Sequence, residues 1–170
     1  MSSQVLVVDD EVAIREAVQQ WLELSGFSVQ TCSSAAQALA LVDRDFPGVI
    51  ISDVRMPGTD GLQLLEKLIE LDRDLPVIMV TGHGDVPMAV QALHRGAYDF
   101  IEKPFTPERL LDSVRRALEK RRLVCENREL RQQFANKDRI ESQLLGVSRP
   151  MENLRRQILE LAGTSVNILI

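Results

Sequence analysis

The chain has 170 residues, of which 45% are hydrophobic and 26% are charged, and its formal net charge is -5 at pH 7. This balance is typical of a globular protein with one domain and an extension, and it argues against a nucleic-acid-binding surface, which is usually basic. Neither a membrane span, which needs about 20 consecutive apolar residues, nor a signal peptide is expected. The cysteines Cys32 and Cys125 lie far apart, so free thiols and a cytoplasmic location are predicted.

Strand and helix patterns alternate five times over the first 118 residues. The strand candidates are short apolar runs, rich in β-branched residues and bounded by turn signals, as expected of strands buried in a parallel sheet. Apolar residues at helical spacing follow each run. The predicted strands are 5–8, 27–31, 49–53, 77–80 and 98–101. The predicted helices begin near Glu11, Ser34, Gly61, Val86 and Thr106.

Five alternating units predict an α/β domain with a parallel sheet and right-handed crossovers. About 120 residues suit the flavodoxin-like order 2-1-3-4-5 of a doubly wound sheet, here followed by a long C-terminal linker helix. Strands one and three are neighbours in that order. Asp9 and Asp10 follow strand one and Asp53 ends strand three, so these carboxylates are expected to converge on one cleft at the carboxyl ends of the strands.

Three neighbouring carboxylates predict a site for a cation. Two unit charges ~4 Å apart repel by about 4 kcal/mol at an effective dielectric of 20, and all-oxygen ligands favour a hard ion such as Mg²⁺. Lys103 at the end of strand five supplies a positive charge, and Thr81 at the end of strand four supplies a hydroxyl. Together these are the groups needed for phosphoryl transfer to Asp53, with the cations neutralising the phosphoryl oxygens.

Each of these residues also has a purely structural interpretation. Asp10 could cap the first helix, Thr81 could cap the fourth, and Lys103 could be a surface lysine before a proline. If the structural interpretation is correct, all of these separate explanations must be true at several strand ends that face one cleft. Because such a coincidence is improbable, the sequence favours the chemical interpretation.

From Glu119 to Lys137 the chain is highly charged and has no proline or glycine. This composition predicts that the fifth helix continues as a long exposed rod, which breaks around residues 136–138. Leu123, Leu130 and Phe134 form a partial apolar seam, and both a solvated linker helix and a dimeric coiled coil agree with it. The predicted organisation is a domain over 1–120, a helical linker over 121–139, and over 140–170 the opening of a further domain that is cut short.

Four motifs resemble the receiver domain of bacterial two-component response regulators. They are Val7–Glu11, Asp53–Gly58, Thr81-Gly82 and Lys103–Phe105. The resemblance implies that Asp53 accepts a phosphoryl group from a sensor histidine kinase. It implies that Asp10, Asp53 and the backbone carbonyl of Arg55 bind Mg²⁺, with Asp9 acting through water. It also implies that Thr81 and Phe100 form the conformational switch.

Two longer stretches, 81–85 and 96–105, resemble the branch of nitrogen-regulatory activators and also a branch with a helix-turn-helix output. Residues 140–170 resemble the opening of the AAA+ domain of sigma-54-dependent activators, before its phosphate-binding loop, so no ATP hydrolysis is expected of this chain. The implied partners are a histidine kinase and a second copy, bound through the linker helix and through the face formed by helix four, strand five and helix five. Sigma-54 RNA polymerase and DNA are implied only for the full-length protein, and no membrane is implied.

Three alternatives are less well supported. A phosphohydrolase with an aspartyl intermediate usually has a second acid two residues after the nucleophile, and here that residue is Arg55. A flavin-binding electron carrier would need a phosphate-cradling loop after strand one, which the sequence lacks. A receiver that signals by protein contact alone would not need the complete acidic set.

Overall fold

A computed structural model describes residues 4–58, 60–82 and 86–143. The chain divides into two compact units, Met1–Cys125 and Glu126–Ile170. The strands are β1 Gln4–Val8, β2 Ser28–Cys32, β3 Val49–Asp53, β4 Val77–Thr81 and β5 Asp99–Glu102. The helices are α1 Val12–Leu24, α2 Ala35–Leu41, α3 Gly61–Leu71, α4 Val86–His94 and α5 Pro107–Gln143. In the second unit, the described residues are those of the continuing α5.

The five strands form one parallel sheet in the order β2-β1-β3-β4-β5. This confirms the flavodoxin-like fold predicted from the alternating pattern. β1 and β3 are paired, with Val8 opposite Ser52. The residue after β1 and the last residue of β3 therefore lie side by side at the carboxyl edge of the sheet, where ligands bind in open α/β sheets.

Alternation of side chains along the strands gives the sheet two apolar faces. One face, with Leu6, Ile50 and Met79, packs against α2, α3 and α4. The other face, with Val7, Ile51 and Ile78, packs against α1 and α5. Because both faces are covered, the central strands consist mainly of consecutive apolar residues, which is why they appear in the sequence as continuous runs.

Polar residues fix the starts of several helices. Ser34 caps α2, and Asp60 caps α3 by accepting the Gln63 N–H at 2.8 Å. Thr106 accepts the Arg109 N–H at 3.3 Å at the start of α5. These caps stand where the sequence predicted them. At α1 the N-cap is Glu11, not Asp10, and the Glu11 side chain does not cap the helix.

The structure corrects the sequence prediction in two places. β2 and β5 each begin one residue later than predicted. The predicted break of the linker at 136–138 is wrong, since α5 continues to Gln143. The stretch from Glu119 to Gln143 has no proline or glycine, and asparagine and aspartate alone lower helix propensity by only a few tenths of a kcal/mol. In the described residues, no helix is long and apolar enough to cross a membrane.

The start of α5 is tied to β5 by Asp99. Asp99 accepts hydrogen bonds from Ser113 Oγ at 2.6 Å and from Arg109, whose guanidinium forms an ion pair at 2.9 Å. Burial acts to raise the pKa of Asp99, but the bonds from Ser113, the Phe100 N–H and Arg109 outweigh it and lower the pKa below its usual value. The carboxylate is therefore ionised at neutral pH and stabilises this contact between helix and sheet.

Candidate functional site

Three polar side chains lie buried at the carboxyl edge of the sheet. Asp9 follows β1 and is 4% exposed, Asp53 ends β3 and is 7% exposed, and Thr81 ends β4 and is fully buried. Their burial is a consequence of the parallel topology, which brings the ends of neighbouring strands to one edge. Buried carboxylates need charged or hydrogen-bonding partners. Lys103 and two backbone N–H groups are the partners of Asp9 and Asp53.

Lys103, which follows β5, joins the two carboxylates. Its Nζ lies 2.7 Å from Asp53 Oδ1 and 3.0 Å from Asp9 Oδ2, and only 16% of its side chain is exposed. The Lys103 N–H also donates to the backbone oxygen of Thr81 at 2.7 Å, and the Lys103–Pro104 peptide bond is cis. The short distances from Nζ to both acids show that the Lys103 side chain extends across the ends of the strands.

The electrostatics of this group favour a charged lysine. Burial acts to lower the pKa of Lys103, but the hydrogen bonds and the attraction from Asp53 and Asp9 outweigh it and raise the pKa above its usual value. At neutral pH one ammonium therefore faces two carboxylates. The three groups together carry a net charge of -1, which suits a further cation or the electropositive phosphorus of a phosphoryl group.

The remaining carboxylate oxygens accept backbone hydrogen bonds. Asp9 Oδ1 accepts the Glu11 N–H at 2.8 Å, and Asp53 Oδ2 accepts the Arg55 N–H at 2.7 Å. The Arg15 guanidinium on α1 also donates to the backbone oxygen of Asp9. These bonds hold both acids in fixed orientations, so little reorganisation is needed when a ligand arrives.

Asp10 and Arg55 differ from the other predicted site residues because their side chains are exposed. The structure brings Asp9, Asp53 and Lys103 together, and the side chain of Asp10, which follows Asp9 in the chain, is exposed. Over 4–58, 60–82 and 86–143, no group of three or more acidic, cysteine or histidine side chains is arranged to hold a metal ion. Lys103 Nζ takes the position between the two buried acids and the Asp10 side chain is exposed, so the cation site of Asp9, Asp10 and Asp53 stays a prediction.

Thr81 and Phe100 lie on one face of the sheet. Phe100 is paired with Met79 in the parallel register of β4 and β5, and Thr81 is two residues beyond Met79 on the same strand. Side chains two residues apart share a face. Phe100 is half-buried and packs against the apolar cluster that includes Ala92 of α4.

Sequence reasoning missed two residues that shape the site. Nothing in the sequence singles out Arg15 of α1, yet its guanidinium donates to the backbone oxygen of Asp9. Gly61 was expected only to start α3. A Cβ on Gly61 would lie 2.1 Å from the Asp53 backbone oxygen, so no larger residue fits there without a shift. The Asp60-Gly61 pair in the sequence signals a helix start, but it does not signal this close approach.

The fold and this edge of the sheet define a class of signalling domain, and comparison with known proteins agrees. Residues 5–115 match the family described as response regulator receiver domain. The chain belongs to this family.

Alignments that extend beyond residues 5–115 indicate a narrower group of relatives. The chain is 52% identical over 168 residues to the C4-dicarboxylate transport transcriptional regulatory protein DctD of Pseudomonas aeruginosa, and 53% identical over 166 residues to DctD of Rhizobium meliloti. Each alignment covers at least 98% of this chain but 36% of the relative. The chain thus spans little more than a third of the length of these regulators.

Solved structures give the same result. NtrX from Brucella abortus in complex with ADP matches with a TM-score of 0.67 and 39% identity, over 96% of this chain and 35% of that one. The beryllofluoride-activated NtrC4 receiver domain dimer matches with a TM-score of 0.66 and 40% identity, over 69% of this chain and 98% of that one. Of the stretches that carried the finer resemblance, 83–85 and 144–170 lie outside the residues that the structure describes.

Proposed function

We propose that this receiver accepts a phosphoryl group on Asp53 from a sensor histidine kinase in the cytoplasm. The observation that supports it best is the position of Lys103 Nζ, 2.7 Å from Asp53 and 3.0 Å from Asp9, two buried acids at the carboxyl edge of the sheet. The structural interpretation of Lys103 as a surface residue does not account for this position. Uptake of a phosphoryl group from acetyl phosphate by the parent chain, and not by Asp53→Asn, tests the proposal.

The groups around Asp53 suggest a role for each residue. An Asp53 carboxylate oxygen attacks phosphorus in line, so that an O–P bond forms as the N–P bond to the kinase histidine breaks and the imidazole leaves. Lys103 neutralises the developing charge on the phosphoryl oxygens. The backbone N–H of Arg55 holds the carboxylate in place during the attack. Thr81, fully buried at the end of β4, supplies a hydroxyl for one phosphoryl oxygen.

Mg²⁺ is the proposed cofactor, and the donor set fits it. Asp9 and Asp53 are buried carboxylates that retain lone pairs beyond their bonds to Lys103 and to backbone N–H groups, and hard cations prefer such oxygen ligands. Asp10 and the backbone carbonyl of Arg55 are the further ligands that we propose. When bound, Mg²⁺ would supply positive charge to phosphoryl oxygens. Asp10, now exposed, would need to turn inward to take part.

Thr81 and Phe100 are proposed as the switch that reports phosphorylation. A phosphoryl group adds about -1.5 to -2 charge at neutral pH. Thr81 turning toward that charge would leave space on its face of the sheet, and Phe100, only half-buried on the same face, is able to move into it. The face formed by α4, β5 and α5 would then repack.

This α4–β5–α5 face is proposed as one surface for a second copy. Val90 and Leu93 of α4 are 45% and 49% exposed. Beside β5 and α5 a cleft of about 570 Å³ is lined by Tyr98 and by the acidic and basic side chains of Asp99, Arg109, Asp112 and Arg116. Apolar residues next to charges of both signs suit a self-complementary interface, since each copy offers both partners of an ion pair.

The linker part of α5 is proposed as the second dimer surface. Leu123, Leu130 and Phe134 are 53%, 52% and 65% exposed. Their spacing of seven and four residues places them on one side of a helix. Because such a stripe is costly to leave in water, packing against the same stripe of another copy is favourable.

Replacing Leu130 with glutamate is expected to shift the 170-residue chain from dimer toward monomer, raising the dissociation constant by at least about 100-fold. Sedimentation equilibrium measures the change. Gln132→Glu, two residues away and also exposed, is the matched control and should remain dimeric. A parent chain that is monomeric at all concentrations, with and without Mg²⁺ and beryllofluoride, would exclude this interface.

For the full-length protein we propose a sigma-54-dependent transcriptional activator, with C4-dicarboxylate transport as its regulated process. The similarity to DctD extends over 168 residues and so includes the linker and the stretch 140–170. Residues 121–139 would be the linker and 140–170 the opening of an AAA+ domain, with sigma-54 RNA polymerase and DNA as partners of the complete protein. The test measures ATP hydrolysis by a longer form of the protein, which we expect phosphorylation to stimulate. A longer form without ATPase activity would leave the helix-turn-helix alternative.

A further inference from the structure

Arg121 of α5 is the largest fully buried side chain in the described part of the protein, and it is charged. The surrounding sequence predicts an exposed helix, and neighbours such as Lys120 and Arg122 are indeed exposed. A fully buried guanidinium needs compensation for its lost hydration. Arg121 also lies beyond residues 5–115, the range matched by the receiver family.

The guanidinium of Arg121 is matched by a built set of acceptors. Its Nη1 forms an ion pair with Asp72 Oδ2 at 2.7 Å, and the Asp72 side chain is 2% exposed. Its Nε and Nη2 donate to the backbone oxygen of Phe46 at 2.8 and 2.6 Å, and Nη2 also lies 3.4 Å from the backbone oxygen of Arg44. One side chain thus ties α5 to two separate loops.

These acceptors lie at the edge of the sheet opposite Asp53. Phe46 precedes β3, and Asp72 is the C-cap of α3 before β4. α5 begins after the carboxyl end of β5, and at 1.5 Å per residue the chain from Pro107 to Arg121 rises about 21 Å. That length carries Arg121 across the sheet to its amino edge.

We propose that Arg121 is a buried latch that fixes α5 to the amino edge of the sheet. Through the latch, helical residues up to 121 become part of the cooperative fold of the receiver. A lysine could approach Asp72, but it lacks the planar fork that also reaches the carbonyl of Phe46. Loss of Arg121 would remove this buried ion pair with Asp72 and the bonds to the Phe46 carbonyl, so the end of this segment would open locally.

The latch has a consequence for signalling, and this part rests on the proposed phosphoacceptor function. A change at the α4–β5–α5 face would be transmitted by α5 as a docked helix, and not by unwinding of the helix near residue 121. The acidic site lies at the other edge of the sheet, so phosphoryl uptake itself does not depend on the latch.

Hydrogen exchange of the 170-residue chain, followed by mass spectrometry, tests the latch. In Arg121→Met, amides in 118–125, 43–47 and 70–76 are expected to exchange at least about 10-fold faster than in the parent, while amides of β1 and β3 keep their protection. Arg122→Met is the matched control. Arg122 pairs with Glu119 on the exposed side of α5, so exchange in this variant should remain as in the parent. Exchange of 118–125 in Arg121→Met that equals the parent rate would overturn the proposal.

Arg121→Lys covers the case in which Arg121→Met does not fold. It should fold and show faster exchange in 43–47, where the carbonyl of Phe46 loses its donors; unchanged exchange there would also refute the latch. Phosphoryl uptake is measured on the same samples and should remain within a few-fold of the parent. If neither parent nor variants take up a phosphoryl group, the proposed function fails, while the exchange rates still decide whether the latch exists.

Discussion

Replacing Lys103 with methionine is expected to slow phosphoryl uptake from acetyl phosphate by on the order of 100- to 1,000-fold, a typical cost of removing one group that stabilises transition-state charge. Methionine keeps much of the aliphatic length of lysine and removes only the ammonium. That ammonium now lies within 3.0 Å of both buried carboxylates. The initial rate of mass gain, measured with saturating Mg²⁺, is the readout.

The same variant should also be less stable. Hydrogen bonds to charged groups contribute about 1.5–3 kcal/mol, so Lys103→Met should lower the free energy of unfolding by roughly 2 kcal/mol at pH 7 without divalent cations. Because folding raises the pKa of Lys103, its contribution is fully present below the unfolded pKa of about 10.4 and is lost as pH rises through the folded pKa. The difference between variant and parent should therefore shrink as the solution becomes strongly alkaline.

Lys67→Met, at an exposed position of α3, is the matched control. It should change neither the rate of phosphoryl uptake nor the free energy of unfolding. Urea unfolding with and without Mg²⁺ measures the stabilities. Mg²⁺ should stabilise Lys103→Met more than the parent, since a cation then relieves two unpaired acids. A Lys103→Met variant that takes up phosphoryl groups at the parent rate would remove lysine from the proposed chemistry.

Replacing Gly61 with alanine is expected to destabilise the fold by about 3 kcal/mol or more, at the upper end of the range for overpacking. The added Cβ would lie 2.1 Å from the Asp53 backbone oxygen and 2.8 Å from Val54 Cα, and backbone atoms cannot move aside as a flexible side chain can. The Gly61 N–H also donates to the Val54 backbone oxygen at 2.8 Å, which fixes the start of α3 close to the end of β3.

The shift needed to accommodate this added methyl group would fall on Asp53, the residue that carries the nucleophile. Phosphoryl uptake by the folded fraction of Gly61→Ala should therefore drop by roughly 10- to 100-fold, because small misplacements of reacting groups are costly. Gly82→Ala is the matched control for stability, since an added Cβ there meets no atom within 4 Å. If Gly61→Ala unfolds at the same urea concentration as Gly82→Ala, the close approach of α3 to Asp53 is wrong.

The sheet could be predicted because its signals are local. Runs such as 49–51 are continuously apolar since both faces of the sheet are covered, and polar residues follow at the carboxyl edge. The order of the strands then follows from topology rules, which is why Asp9, Asp53 and Lys103 could be placed together before any coordinates were known.

What could not be predicted depends on contacts between distant segments. Arg121 stands in a charged run that looks solvated, and only the convergence of the loops at Phe46 and Asp72 buries it. Asp10 is next to Asp9 in sequence, yet one is exposed and the other is buried, because adjacent residues at a strand end point in different directions. The end of α5 likewise could not be predicted from the composition of the linker, because a helix without proline or glycine has no local stop signal.

The most direct test of the phosphoacceptor function is the intact mass of the 170-residue chain after incubation with Mg²⁺ and acetyl phosphate, beside Asp53→Asn treated in the same way. We expect the parent to gain the mass of one phosphoryl group, and to gain none when Mg²⁺ is removed by a chelator. Asp53→Asn should gain none in either condition. An equal gain in parent and variant would show that another residue is the acceptor, and no gain in the parent, while Mg²⁺ is shown to bind, would contradict the function proposed for Asp53.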